Sequence, residues 1–160
     1  MRRPPRAFEE AEFAARCAAA QAAMQQVGVA ATLLTSEAEI RYFTGFMTQF
    51  WQSPTRPWFV VIPLSGKPIA VIPSIGAPLM RQGYVGNIIS WASPDEDDDG
   101  ITLVADVIRQ HVSKDAALGM LMGRETAVRM PLADLFTLQK FLDMPLHDMT
   151  AAVQKIRMVK

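Results

Sequence analysis

Residues Val29–Phe46 read "VAATLLTSEAEIRYFTGF". The first seven, Val29 to Thr35, form a short apolar run of the kind that makes a buried strand. Ser36 then stands where a helix N-cap stands, with Glu39 three residues on in capping-box spacing. Gly45 follows as a helix stop. The segment is therefore predicted as strand, short helix, turn.

The flanks extend that pattern. Upstream, Phe13, Cys17, Ala20, Met24 and Val27 recur at spacings of four and three, which predicts a helix over about Glu9 to Val27 with Gly28 ending it. The alanine run inside it is explained by helix propensity alone. Downstream, "WFVVIP" (Trp58–Pro63) and "PIAVIP" (Pro68–Pro73) flank "LSGK", a hairpin with Gly66 in the turn. "IGAPLMRQG" gives one or two helical turns, and "NIISW" (Asn87–Trp91) another strand. A helix carrying Ile101, Val104, Ile108 and Val112 on one side is next, then a strand at Ala117–Gly123. Pro131 opens a further helix. "MPLHDM" and "TAAVQKIRMVK" close the chain as a short strand and a last helix. Strands alternating with helices, with one hairpin inserted, predict an α/β fold with a mixed sheet of five to six strands flanked by helices. The 160 residues suit a single domain. The closing "VQKIRMVK" is amphipathic and carries no stop signal, so the chain is expected to continue into a further domain.

Composition excludes several functions. Lys+Arg and Asp+Glu are equal at 16 each, so no basic surplus exists to hold a phosphate backbone, and nucleic acid is not an expected partner. No apolar run reaches bilayer length, and no membrane association is expected. After a few basic residues the N-terminus turns acidic at Glu9, Glu10 and Glu12, where a signal peptide needs an apolar core. With a single cysteine, Cys17, no internal disulfide can form. Cytoplasmic location is the expectation. Cys17 lies on the apolar face of the first helix and reads as core.

Catalytic motifs are scarce. His111 and His147 have no partner at metal-ligand spacing and read as structural or surface residues. No nucleophile elbow, phosphate-binding glycine loop or dinucleotide fingerprint is present, and "GYVG" at Gly83–Gly86 lacks the required context. The run Asp95–Asp99 lacks the alternation of a calcium loop and precedes a helix, whose positive N-terminus it offsets. The ten methionines fit a core as gap-fillers.

The anomaly is Gly45–Phe59, "GFMTQFWQSPTRPWF", which holds two of three tryptophans and three of eight phenylalanines. It has neither helical period nor alternation. Trp58 and Phe59, at a strand start, read as core. Pro54 and Pro57 stiffen the backbone around Arg56 and remove amide donors. Phe50, Trp51 and Arg56 are the candidate site: a rigid loop presenting aromatic surface and a guanidinium suits an interface or an anion clamp. The competing reading is a lid that fills a peripheral core.

Taken together, "LLTSEAEIRYFTGF", "VVIPLSGKPIAVIP", the "GRE" of Gly123–Glu125 and the final "VQKIRMVK" resemble the N-terminal domain of the creatinase/prolidase family. The likeness runs from about Phe13 to Lys160. It implies a ribonuclease H-like mixed-sheet domain. In that family this domain precedes the pita-bread catalytic domain of Xaa-Pro aminopeptidases, prolidases and creatinases. It implies further that the divalent metal pair and its carboxylate and histidine ligands belong to that catalytic domain. No cofactor and no catalytic residue is then expected in this chain, which alone would be inert. The resemblance also implies a homodimer in which the loop after "TGF" reaches the partner's active-site mouth. Arg56 then contacts the carboxylate of a small peptide or other small acid, with Phe50 and Trp51 as apolar walls. "FWQSPTRPW" departs from creatinase wording, which leaves peptidase, amidinohydrolase and lyase parents open. A free-standing α/β dimerisation or small-ligand-binding module is the alternative.

Overall fold

Burial on both faces of a sheet sets the architecture. The computed structural model describes residues 8–53, 56–113 and 115–158. These form a six-stranded sheet in the order β4-β3-β2-β1-β5-β6. The strands are β1 (Val29–Leu34), β2 (Phe59–Pro63), β3 (Ile69–Pro73), β4 (Asn87–Trp91), β5 (Ala117–Met120) and β6 (Leu146–Asp148). β2 is antiparallel to both β1 and β3, while β1/β5, β5/β6 and β3/β4 pair in parallel. Only β2 therefore runs against the rest. The α/β fold with a mixed sheet is as the sequence predicts.

Every residue of β2 is buried, and alternate side chains serve opposite layers. Val60 and Ile62 join Phe13, Cys17, Ile40, Phe43 and Val153. These come from helices α1 (Glu10–Gln26), α2 (Glu37–Thr44) and α6 (Thr150–Met158). Phe59 and Val61 join Ile101, Val104, Ile108, Leu138 and Leu142. Those come from α4 (Ile101–His111) and α5 (Leu132–Leu142), while the short α3 (Ala77–Met80) follows β3. A strand covered on both faces reads as one apolar run, which is why no alternation is visible in its sequence.

Several local expectations are corrected. Val27 lies past the end of α1 and is exposed, whereas Arg16, inside the same helix, is buried. Its guanidinium sits 4.3 Å from the ring centroids of both Phe8 and Tyr42 and donates to the Tyr42 carbonyl at 2.8 Å. The capping box of α2 does not form, because the Ser36 side chain makes no cap bond. Glu39 is buried and accepts from Arg157 Nη1 at 3.0 Å instead. A buried carboxylate is better compensated by a charged donor than by an exposed amide. β5 ends at Met120 rather than Gly123, where its register with β1 and β6 runs out. Pro131 stands at the N-cap position just outside α5, not at its first helical position. The Gly45 stop is as predicted, with φ +74°.

Candidate functional site at the aromatic loop

Six strands but one reversed strand place a characteristic edge. The carboxyl ends of β1, β3, β4, β5 and β6 lie together with the start of β2. From neighbouring strands β1 and β5 the chain departs to α2 and α5, in opposite layers, so their ends form a switch point where α/β sheets place ligands. The aromatic stretch arrives at this edge on the way from α2 to β2.

Its polypeptide is held in a short 3₁₀ turn, Gln49–Gln52, capped by Thr48, whose Oγ1 accepts from the Phe50 amide at 3.2 Å. Phe46 and Trp58 are buried and their rings lie 5.4 Å apart. Trp51 is 8% exposed and packs 5.8 Å from Trp58 and 6.3 Å from Phe46. Trp58 also lies against Gly76, where an added Cβ would come within 2.3 Å of the indole. The predicted site thus divides. Trp51 faces the monomer core. Phe50 is 39% exposed and stacks on Trp58 from outside, with ring centroids 6.4 Å apart. Arg56 is half-buried, and its guanidinium sits 5.8 Å from the Phe50 centroid. Among the described residues it makes no ion pair. Pro54 and Thr55 lie outside the described residues.

A residue that sequence reading passed over completes this loop. Arg129, in the connection from β5 to α5, donates from Nη1 to the Arg56 carbonyl at 2.6 Å and from Nη2 to the Trp51 carbonyl at 3.2 Å. It donates to the Ser53 carbonyl as well. Its guanidinium lies 5.0 Å from the Trp51 ring centroid, a cation–π contact. Its backbone amide donates to Thr35 Oγ1 at 3.0 Å, at the end of β1. Burial lowers the Arg129 pKa from its ordinary value, and the Glu37 carboxylate opposes that shift. Nothing local in "TAVRMP" announces this role, because its partners are 73 to 94 residues away.

The remaining candidates are structural. Cys17 is buried in the α1–α2 layer, and desolvation raises its thiol pKa to about 12. It is an inert thiol at neutral pH. His111 Nδ1 lies 2.8 Å from the Val107 carbonyl near the end of α4. In the acidic run, Asp98 Oδ1 accepts from the amides of Ile101 (2.7 Å) and Thr102 (3.1 Å), which caps α4 as predicted. Among the described residues no three His, Cys, Asp or Glu side chains gather in a way that could hold a metal ion. None of the described helices is long and apolar enough to cross a membrane. A groove of about 560 Å³ between α1 and α6 has an alanine floor and lies apart from the aromatic loop.

The fold is shared with known proteins. Over 96% of its length the chain superposes on the dipeptidase PepE from Mycobacterium ulcerans with TM-score 0.72 and 27% identity, covering 38% of that structure. A prolidase from Thermococcus sibiricus matches over 90% of the chain and 36% of its own, with TM-score 0.73 and 17% identity. The Creatinase/Prolidase N-terminal domain of an X-Pro dipeptidase from Streptococcus pyogenes matches 88% of the chain and 98% of its own, with TM-score 0.67 and 14% identity. The chain thus spans little more than a third of the two longer structures and nearly the whole of the isolated domain. No curated protein is significantly similar in sequence. The sequence profile of the Creatinase/Prolidase N-terminal domain matches residues 16–159, nine-tenths of the chain, and the chain belongs to that family.

Proposed function

We propose that this domain serves a metal-dependent Xaa-Pro peptidase of the cytoplasm by shaping substrate access, with the chemistry carried by a separate catalytic domain. The aromatic loop is the working part. In a homodimer it lies at the mouth of the partner's active site, where Phe50 offers an apolar wall and Arg56 meets the carboxylate of a short peptide. The observation that carries this reading is the division of the loop. Trp51 and Trp58 anchor it in the monomer core, while Phe50 is exposed and Arg56 is half-buried beside it. An arginine without an ion-pair partner among the described residues, beside an aromatic face, is suited to bidentate binding of a carboxylate. The structural relatives, two dipeptidases and a prolidase, agree with a peptide substrate.

The test is Arg56→Ala in the full-length protein, assayed on a Xaa-Pro dipeptide with metal supplied. Loss of a charge-assisted pair costs about 1.5–3 kcal/mol, so kcat/KM is expected to fall roughly 10- to 150-fold, mainly through KM. Unchanged KM and kcat would remove the carboxylate clamp.

A further inference from the structure

We infer that Arg129 is the positioning residue of the aromatic loop: its guanidinium, on a backbone anchored to the end of β1, fixes where Phe50 and Arg56 are presented. Four observations converge. The loop is short of its own donors, since prolines at 54 and 57 remove two amide donors from the segment. Carbonyls of Trp51, Ser53 and Arg56 instead accept from the single fork of Arg129. The Trp51 indole N–H is buried with no acceptor among the described residues, so no hydrogen bond of its own sets the ring's orientation. The cation on its face and the packing of Phe46 and Trp58 do so. Finally, the Arg129 amide is itself tied to Thr35, which is 5% exposed, so the clasp is referenced to the sheet and not to another loop.

The geometry demands a planar donor. Arg129 reaches three carbonyls spread over six residues while lying against an indole, and the five donors of a guanidinium are arranged to do this. A lysine keeps the charge and the stem but concentrates its donors on one nitrogen.

Its consequence for the loop stands alone; its consequence for substrate rests on the proposed function. The two are separated in one experiment on the full-length protein with Arg129→Lys and Arg129→Met. Native-state chymotrypsin cleavage after Phe50 and Trp51 is mapped by mass spectrometry, beside melting temperature and steady-state kinetics on a Xaa-Pro dipeptide. Loss of hydrogen bonds from a charged donor is expected to raise cleavage about tenfold or more in both variants, with lysine failing to rescue. Sites elsewhere in the chain keep their wild-type cleavage rates. KM rises with kcat little changed. Faster cleavage with unchanged KM supports the clasp and removes the substrate reading alone. Wild-type cleavage in both variants overturns the clasp. Should Arg129→Met fail to fold, the lysine variant decides by the same readouts.

Discussion

Two loops at the same edge of the sheet solve opposite problems. The acidic loop from Ser93 to Gly100 is strongly charged, and it is held by its own neighbours. Asp95 Oδ1 accepts from the amides of Asp97 and Asp98 at 3.1 Å, and Asp98 caps the helix that follows. Asp99 reaches only as far as the Trp91 indole, accepting from it at 2.6 Å. The aromatic loop from Phe46 to Trp58 is apolar, proline-stiffened and held from a distance, by Arg129 and by a core that includes α2 and β2. A loop closed by bonds two to eight residues long can be read from its own letters. A loop closed across more than seventy cannot, and its sequence looks like an anomaly until the fold is seen.

This contrast can be broken or sharpened by measurement, beyond the Arg56 and Arg129 variants. The largest effect belongs to the aromatic side. Trp58 is wholly buried, and Trp58→Ala is expected to cost about 3–5 kcal/mol in urea unfolding. A cost near that of a surface substitution would mean the aromatic loop is not part of the core. On the acidic side, Asp98→Ala removes a helix cap and is expected to cost about 1 kcal/mol by the same measurement, with Asp98→Asn largely retaining it.

The smallest effect is a pH dependence at the end of β6, on this same edge. Asp148 is held below its ordinary value of 3.8, first by the Thr150 hydroxyl and then by the Thr150 amide, with the Met122 and Gly123 amides adding to this. A carboxylate whose folded pKa is depressed contributes stability that is present above its unfolded value and lost as pH falls through the folded one. Melting temperature should therefore drop on acidification below about that unfolded value, and Asp148→Asn should flatten this limb. An identical acid limb in the variant would assign the loss to other carboxylates.

The same distinction explains how much of the molecule is legible in sequence. The mixed sheet, the hairpin and the helix stops at Gly28 and Gly45 are written in local patterns, and each forms close to its predicted bounds. The acidic cap belongs with them. Glu39 shows the limit: its spacing from Ser36 fits a capping box, yet a partner 118 residues away takes the carboxylate. Burial decides that outcome, and burial is not local. Arg16 is passed over for the same reason, since a charged residue on an apolar helix face becomes favourable only once Phe8 and Tyr42 are known to bracket it. At the candidate site, the aromatic letters of the loop were visible. Which of them turn inward was not, and neither was the guanidinium that sorts them.

The link between Glu39 and Arg157 has a mechanical side. Arg157 and the Ile156 carbonyl, which accepts from the Tyr42 hydroxyl at 3.2 Å, strap α6 to α2 at two points. Arg16 straps α1 to α2 through the Tyr42 carbonyl. Helix α2 ends at Thr44, and only the Gly45 cap separates it from the aromatic loop. These bonds tie α1, α2 and α6 into one unit, and the loop that carries Phe50 and Arg56 springs from it.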